Sequence, residues 1–360
     1  MRKKQRRMIF VSLLTGLLVV TSGCGLLTEE TNNEIDPPQE VIYDEGSSIE
    51  DAEQETDAAV GGKDAPAGAT ETQQLQVYLV DKNGLVVPQT MNLPLSEEPE
   101  KQVVEHLIQD GKVSNLLPNG MRAVLPAGTE VLDVNVDQGT AVVDFSEEFK
   151  DYAAEDEQRI LQSLTYTLTQ FDKVSAVKIR INGIDQKVMP VNQTPIGDSM
   201  SRADGINIET NGVVDVTNSD TVTVYFIGQN DDNQLYYVPV TRVVSSKENL
   251  VKSTVDELLN GPSYYSGLLT DLRSTVDLVS APVEEDGVVT LNFNEAILSE
   301  EKGTAISDAV LNSLVLSLTE IAGVEKVLIK VNGKSEVLKE DGKLMTEPVS
   351  RPVNVNTVDF

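Results

Sequence analysis

Apolar positions follow the same order twice along this chain. The segment Ile160–Phe171 carries apolar residues at helical spacing, and Val310–Ile321 repeats that stripe without a gap. The match continues through alternating positions into Asn182-Gly183 and Asn332-Gly333, with ten identical residues in all. Further pairs upstream are Val77 with Val224, Tyr78 with Tyr225, Pro88 with Pro239, Leu107 with Leu258 and Phe145 with Phe293. The pattern predicts two copies of one unit of about 120 residues, an ordinary domain size.

Each copy is predicted to fold as β-β-α-β-β-α-β with a short return strand. In the first copy the predicted elements are Leu75–Val80, a run ending at Val87-Pro88, the helix Pro99–Gly111, Val131–Val136, Ala141–Phe145, the helix Glu155–Phe171 and Val174–Ile181. In the second they are Thr221–Ile227, a run ending at Val238-Pro239, the helix Ser246–Gly261, a hairpin around Asp286-Gly287, a helix with the stripe from Ile306 to Ile321, and Val324–Val331. The Asn-Gly pairs favour type I′ hairpin turns.

These elements indicate an α+β protein with two repeated small domains, each a mixed β-sheet with two helices on one face. The predicted domains cover residues 73–190 and 220–350. Residues 191–219, rich in Asn, Asp, Gly and Ser, form a linker that partly packs between them, and residues 351–360 form a C-terminal tail.

The N-terminus predicts a secreted, lipid-anchored protein. Residues 1–23 combine five basic residues, a 13-residue apolar run that is too short for an ordinary membrane span, and small residues before Cys24. This resembles the bacterial lipobox, with Thr21 where Leu is usual. The resemblance implies that Cys24, the single cysteine of the chain, becomes the new N-terminus and carries a diacylglyceryl thioether with palmitate-type chains. Two chains give stable membrane attachment, whereas one binds marginally. An ordinary cleaved signal with a chance cysteine is the alternative.

Residues 24–72 then predict a disordered acidic tether. They hold 14 acidic residues, a single lysine and few large apolar side chains, so burial cannot offset the entropy of ordering. A coil of this length spans on the order of 40 Å.

The charge of the chain excludes one class of partner. The formal net charge is −30, and removal of the five leader basic residues leaves 23 basic against 58 acidic residues, or −35. Nucleic-acid binding needs a basic face, so nucleic acid is excluded as a partner.

The sequence offers no recognisable catalytic motif. His106 is the single histidine and lies inside a predicted helix, where a surface or boundary residue is expected more often than a catalyst. One histidine and one cysteine cannot build a tight zinc or copper site. We therefore expect no metal, no cofactor and no catalytic residue.

Two acidic groupings leave alternatives open. Asp144 with Glu147, or Asp256 with Glu257, are candidate carboxylate pairs for hydrolysing cell-wall glycan, although the chain has no Trp to support a sugar. Asn230–Asn233 is a candidate calcium loop, but it lacks the Gly and Glu that an EF-hand requires. A solvated acidic face and a polar hairpin turn are the simpler interpretations.

The repeated motifs resemble the tandem GerMN domains of sporulation and germination lipoproteins. The residues that carry the resemblance are Val224–Phe226, Val238-Pro239, Asn292-Phe293, Ser313-Leu314 and Val331–Gly333, with their first-copy counterparts. It implies a fold like the ring-building modules of the channel that joins mother cell and forespore. It also implies a non-enzymatic role in sporulation and germination, at the extracytoplasmic face of the cell membrane between the two cells.

Two functions follow as hypotheses. The first is an assembly module that binds proteins of the forespore channel complex and self-associates into a ring, using strand edges and a bare sheet face. The alternative is a protein that binds or hydrolyses peptidoglycan through its surface carboxylates.

Overall fold

The computed structural model describes residues 71–112, 117–210, 218–299 and 303–357. The predicted signal peptide, Cys24 and nearly all of the predicted tether lie outside the described residues, as do residues 211–217 of the predicted linker. The described residues belong to one compact unit that contains both repeats.

The order of elements confirms the predicted β-β-α-β-β-α-β pattern in both repeats. The first repeat contains β1 (Thr72–Val80), β2 (Val86–Pro94), α1 (Pro99–Glu105), β3 (Val131–Asp137), β4 (Thr140–Phe145), α2 (Glu157–Leu168), β5 (Ala176–Ile181) and β6 (Ile184–Asp185). The second contains β7 (Ser219–Gln229), β8 (Leu235–Ser245), α3 (Leu250–Asn260), β9 (Val283–Glu285), β10 (Val288–Phe293), β11 (Ala305–Ile306), α4 (Asp308–Leu318), β12 (Lys326–Val331), β13 (Val337–Lys339), β14 (Leu344–Met345) and β15 (Val349–Ser350).

Each repeat has a mixed sheet, as the α+β prediction requires. In the first repeat the strand order is β3-β4-β5-β6, with β4 and β5 parallel and the outer pairs antiparallel. The second repeat has the order β15-β12-β10-β9, again with a parallel central pair. The first two strands of each repeat pair with each other in a separate two-stranded sheet, β1-β2 or β7-β8.

Short-range turn signals account for the hairpins. Gln138-Gly139 and Asn182-Gly183 both adopt positive φ angles, 47° and 82° in the first turn and 48° and 78° in the second. Such angles favour Gly and Asn and match the twist of a two-residue hairpin. Asn332-Gly333 repeats the geometry with angles of 47° and 79°.

The first helix is shorter than its apolar stripe predicts. It ends at Glu105 because the following residues pair with another segment: Gln109 donates its N–H to the Leu125 carbonyl, and the N–H of Leu125 is bonded to the Leu107 carbonyl. Tertiary pairing overrides helical spacing here. In α3, by contrast, Gly261 ends the helix as predicted, with a φ of 74°.

The core has one large cluster of buried side chains per repeat. Phe145 and Phe149 stack with ring centroids 4.4 Å apart in the first cluster. Val87 of β2 belongs by sequence to the first repeat, yet it packs in the cluster of the second. The two cores therefore meet at the hairpins.

Candidate interaction surfaces

An asparagine bridges the two hairpins at the boundary between the repeats. The Asn207 carboxamide accepts the N–H of Val86 at 2.8 Å and donates to the Val86 carbonyl at 2.7 Å. It also donates to the carbonyl of Pro239, in the hairpin of the other repeat, at 2.8 Å. Proline lacks an N–H and cannot donate to a neighbouring strand, and the Asn207 side chain satisfies the carbonyl of Pro239.

A second asparagine makes the same bonds with the repeats exchanged. Asn356 accepts the N–H of Tyr237 at 2.7 Å and donates to the Tyr237 carbonyl at 2.8 Å and the Pro88 carbonyl at 2.7 Å. Both asparagines have positive φ angles, 47° for Asn207 and 55° for Asn356. The repeats are thus related by an approximate two-fold arrangement, with one asparagine bridge on each side.

A buried ionic cluster lies at the same boundary. The Glu320 carboxylate accepts from Arg351 at 2.7 Å, from the Tyr225 hydroxyl at 2.8 Å and from Arg202 at 3.1 Å. Burial alone raises the pKa of Glu320, but the two guanidinium groups and the tyrosine hydroxyl overcome it and hold the pKa below 4.5. Arg202 comes from the segment after the first mixed sheet, so the cluster links the two repeats.

The tips of the hairpins also meet. Tyr236, which is almost fully buried, donates its hydroxyl to Asp81 at 2.9 Å. An exposed ion pair of 2.6 Å joins Lys82 and Asp231 beside it. Such exposed pairs add little stability, so the buried contact is the stronger of the two.

A repeated spacing in the sequence is a signal for these contacts. Ser201-Arg202 is followed by Asn207, and Ser350-Arg351 is followed at the same distance by Asn356. The repeated contacts therefore continue past residues 190 and 350, where the predicted domains ended.

The candidate carboxylates Asp144 and Glu147 support the turn after β5. Asp144 accepts the N–H of Gly183 at 2.9 Å, and Glu147 accepts from the Asn182 carboxamide at 3.1 Å. In the second repeat Asn292 and Glu295 hold the corresponding turn, with distances of 2.8 and 3.1 Å. An amide serves as well as a carboxylate here, which explains the difference between Asp144 and Asn292.

Asp256 and Glu257 have different partners. Asp256 forms an ion pair with Lys252 one turn earlier in α3. Glu257 accepts from Arg242 at 3.0 Å, and the same guanidinium pairs with Glu209 at 2.9 Å. Both carboxylates thus serve ion pairs with neighbouring basic side chains.

His106 is buried rather than exposed. It follows the last residue of α1, and its Nδ1 lies 2.7 Å from the Gln102 carbonyl. Burial is the largest influence on its pKa and lowers it. The imidazole therefore completes the end of the helix through this hydrogen bond.

The Asn230–Asn233 loop is a hairpin turn between β7 and β8. The Asn230 side-chain oxygen accepts the N–H groups of Asp232 and Gln234 at 3.0 and 2.8 Å. These bonds use the oxygen for the turn itself. Within the described part of the chain, no group of three or more His, Cys, Asp or Glu is placed to hold a metal ion.

The outward faces of the two mixed sheets remain partly open. Central strands β4, β5 and β10 alternate strictly between buried and half-buried residues, and β12 does so after an exposed first residue. Basic side chains recur at the same register on the open side, Arg180 in β5 and Lys330 in β12. The edge strand β9 is exposed at all three of its residues. These faces and edges are the surfaces that the assembly hypothesis uses.

Among the described residues, no helix is long and apolar enough to span a membrane.

Comparison with known proteins gives consistent matches over the described region and beyond. The family profile described as "Germane: Sporulation and spore germination" matches residues 76–187 and 223–337. The spore germination protein GerM of Bacillus subtilis strain 168 is 50% identical over 369 residues, covering all of both chains. A solved structure of the tandem GerMN domains of the sporulation protein GerM from Bacillus subtilis is 53% identical. It covers 79% of this chain and 100% of that chain, with a TM-score of 0.75.

Proposed function

Because this chain belongs to the Germane family of sporulation and spore germination proteins, we propose that it acts in sporulation as a lipid-anchored assembly module rather than as an enzyme. In this proposal Cys24 carries the lipid and fixes the protein to the extracytoplasmic face of the cell membrane, between mother cell and forespore. The two repeats form the body that binds partners.

The observation that carries this proposal is that the two mixed sheets each have an outward face that is partly exposed. The repeats are held together by their hairpins and by the Glu320 cluster, so each mixed sheet keeps one face partly exposed. Leu328 and Lys330 lie half-buried on this face of β12. Exposed strand edges and faces are established surfaces for strand addition and for heterologous contacts that close into rings.

The partner in this proposal is a protein of the forespore channel complex. Self-association of this chain through the same surface is the second contact we propose. The body is acidic overall, which favours partners with basic surfaces.

Hydrolysis of cell-wall glycan has less support. Asp144 and Glu147 are bonded to the Asn182-Gly183 turn, and an amide holds the corresponding turn of the second repeat. The hydrogen bonds give these carboxylates a structural role.

The deciding experiment is co-purification of the full chain from sporulating cells, with mass spectrometry of the proteins recovered. A Leu328→Glu, Lys330→Glu variant changes the open sheet face, and Leu95→Glu changes a 60% exposed residue just after β2 as the matched control. We expect the sheet-face variant to lose a channel protein that both the unmodified chain and the control recover. If the unmodified chain recovers no channel protein and shows no cross-linked oligomer, the assembly proposal is wrong.

A further inference from the structure

A groove crosses the boundary between the two repeats on one side. Its volume is about 490 Å³, within the range of small-molecule sites. Gly84 and Leu85 of the first hairpin turn, Gln158 and Gln162 of α2, and Tyr265 from the loop after α3 are among its lining residues. A smaller cavity of about 190 Å³ also uses Gln158 and Gln162, so the recess extends along α2. An elongated recess suits a linear ligand.

Two consecutive tyrosines lie in the loop after α3, and the second of them, Tyr265, lines this groove. Tyr264 is 92% exposed and Tyr265 is 93% exposed, and their rings are perpendicular with centroids 5.2 Å apart. The other six tyrosines that the structure describes are all buried or half-buried. Two whole aromatic rings left in water forgo the stabilisation that burial provides, and such exposure commonly marks a binding surface.

The approximate two-fold arrangement supplies an internal comparison. β1 pairs through Val80 with Arg122, and β7 pairs in the same way through Ile227 with Leu269. Pro118 precedes Arg122 by the same number of residues as Tyr265 precedes Leu269. Pro118 therefore occupies, in the first repeat, the position that Tyr265 has in the second. A related groove of about 290 Å³ lies there, and Pro118 and Leu235 help to line it. The fold therefore does not require an aromatic residue at the position of Tyr265.

The larger groove is lined by neutral polar side chains and by the charged Glu155, Arg159 and Glu209. In the described part of the chain, neither the Gln158 carboxamide nor the hydroxyls of Tyr264 and Tyr265 have a hydrogen-bond partner. The nearby cation, Arg159, is engaged by the Gly84 carbonyl at 2.8 Å and by Asp156 at 2.9 Å. With no spare cation and a formal net charge of −30, the site does not suit an anionic polymer.

We propose that this groove binds a neutral glycan strand. A pyranose ring presents an apolar C–H face that packs on the negative face of an aromatic ring, and its hydroxyl and acetamido groups need hydrogen-bond donors and acceptors, which amide and carboxylate side chains supply. Tyr264 and Tyr265 supply the rings, and Gln158 supplies the carboxamide. The site uses none of the sheet-face residues of the assembly proposal, so either can fail without the other.

The test is titration of the full chain, kept in detergent, with chitohexaose, a soluble β-1,4-linked oligomer of N-acetylglucosamine. The chain has nine Tyr and no Trp, so its intrinsic fluorescence comes from tyrosine and changes when a ligand covers exposed tyrosine rings. Ligand-observed NMR gives a second readout that does not depend on the tyrosines. We expect binding to weaken by about two- to tenfold in Tyr265→Ala and in Tyr264→Ala, the range of one aromatic contact. Leu235→Ala, at a 60% exposed residue of the related groove, should bind as the unmodified chain does.

Thermal melting of all three variants checks that the fold is retained. Absence of chitohexaose binding by the unmodified chain overturns the proposal, and so does equal binding by all the variants. A photo-reactive tyrosine analogue at position 264 provides a further test. If it cross-links to a protein and chitohexaose does not compete, the groove binds a protein instead, and this outcome also overturns the glycan proposal.

Discussion

Glu320 shows how one residue can hold two repeats together. Its carboxylate is 13% exposed and is shared by guanidinium groups from two separate segments and by a tyrosine hydroxyl. Moving a carboxylate out of water is costly, and the cost is recovered only when good partners surround it. The cluster therefore defines one packing of the repeats, because any other packing leaves buried charges unpaired.

Replacing Glu320 should destabilise the body strongly. Glu320→Gln leaves Arg202 and Arg351 close together without their counter-ion, and we expect a loss of about 3 kcal/mol in the free energy of unfolding. Urea denaturation followed by circular dichroism measures the change. Glu336→Gln, at an exposed residue, is the control and should alter stability by less than about 0.5 kcal/mol. A loss for Glu320→Gln no larger than the control's would show that the cluster contributes nothing.

The same carboxyl predicts how stability depends on pH. Folding holds the pKa of Glu320 below its ordinary value of 4.5, so the folded state binds fewer protons than the unfolded state in that range. The stability is fully present above about pH 4.5 and is lost as the pH falls through the folded pKa. Burial raises the pKa values of Asp156 and Glu157 as well, but their hydrogen-bond partners outweigh this effect and hold both pKa values below their ordinary values. Protonation of these two carboxylates therefore adds to the loss of stability at low pH. Unfolding measured from pH 7 to pH 3 should show a shallower loss for Glu320→Gln than for the unmodified chain. Identical slopes would contradict this assignment.

Among the elements, those with local signals were predictable. The Asn182-Gly183 turn follows from two residues whose backbone tolerates positive φ, and the strands around it follow from simple alternation. The end of α1 was not predictable in this way, because Leu107 and Ile108 continue the helical spacing while pairing with a distant segment. Periodicity describes one element at a time, whereas that pairing depends on where the chain returns.

The turn after β5 gives a prediction that separates structure from catalysis. Asp144→Ala removes the acceptor of the Gly183 N–H and should cost about 1 kcal/mol of stability. Asp144→Asn should be nearly neutral, because Asn292 makes the same bond in the second repeat. Urea denaturation of both variants measures this. Release of muropeptides by the unmodified chain, abolished in Asp144→Asn, would instead establish the carboxylate as catalytic.

The two repeats form one compact unit and are joined by paired asparagine bridges. The sequence shows that there are two copies, because each copy repeats its own stripes. It does not show how they pack, because Asn207 and Asn356 each act on a backbone that lies far away in the chain. In both repeats a Ser-Arg pair is followed at the same distance by an Asn. This spacing is the sequence feature that indicates a shared role for the segments after residues 190 and 350.

Loss of either bridge should weaken the packing of the repeats. Asn207→Ala or Asn356→Ala leaves backbone groups of the hairpins without their partners, and we expect a loss of about 1–3 kcal/mol for each. Hydrogen exchange should show faster exchange at Val86 in the first variant and at Tyr237 in the second. Asn354→Ala, at an exposed residue of the same tail, is the control. Unchanged exchange at both amides would mean that the asparagines do not hold the hairpins.

In the proposed function, Cys24 attaches this body to a membrane. Cys24 lies outside the compact unit that contains both repeats, so Cys24→Ala should leave the folded body and its melting temperature unchanged. If the cysteine carries two acyl chains, their loss removes the stable attachment and the protein should appear in the soluble extracytoplasmic fraction. Ser22→Ala, two residues upstream, keeps the thiol and should stay with the membrane. We expect sporulation to fail with Cys24→Ala, since an assembly module released from its membrane is diluted away from partners fixed nearby. A soluble Cys24→Ala protein that supports normal sporulation would show that the body works without its anchor.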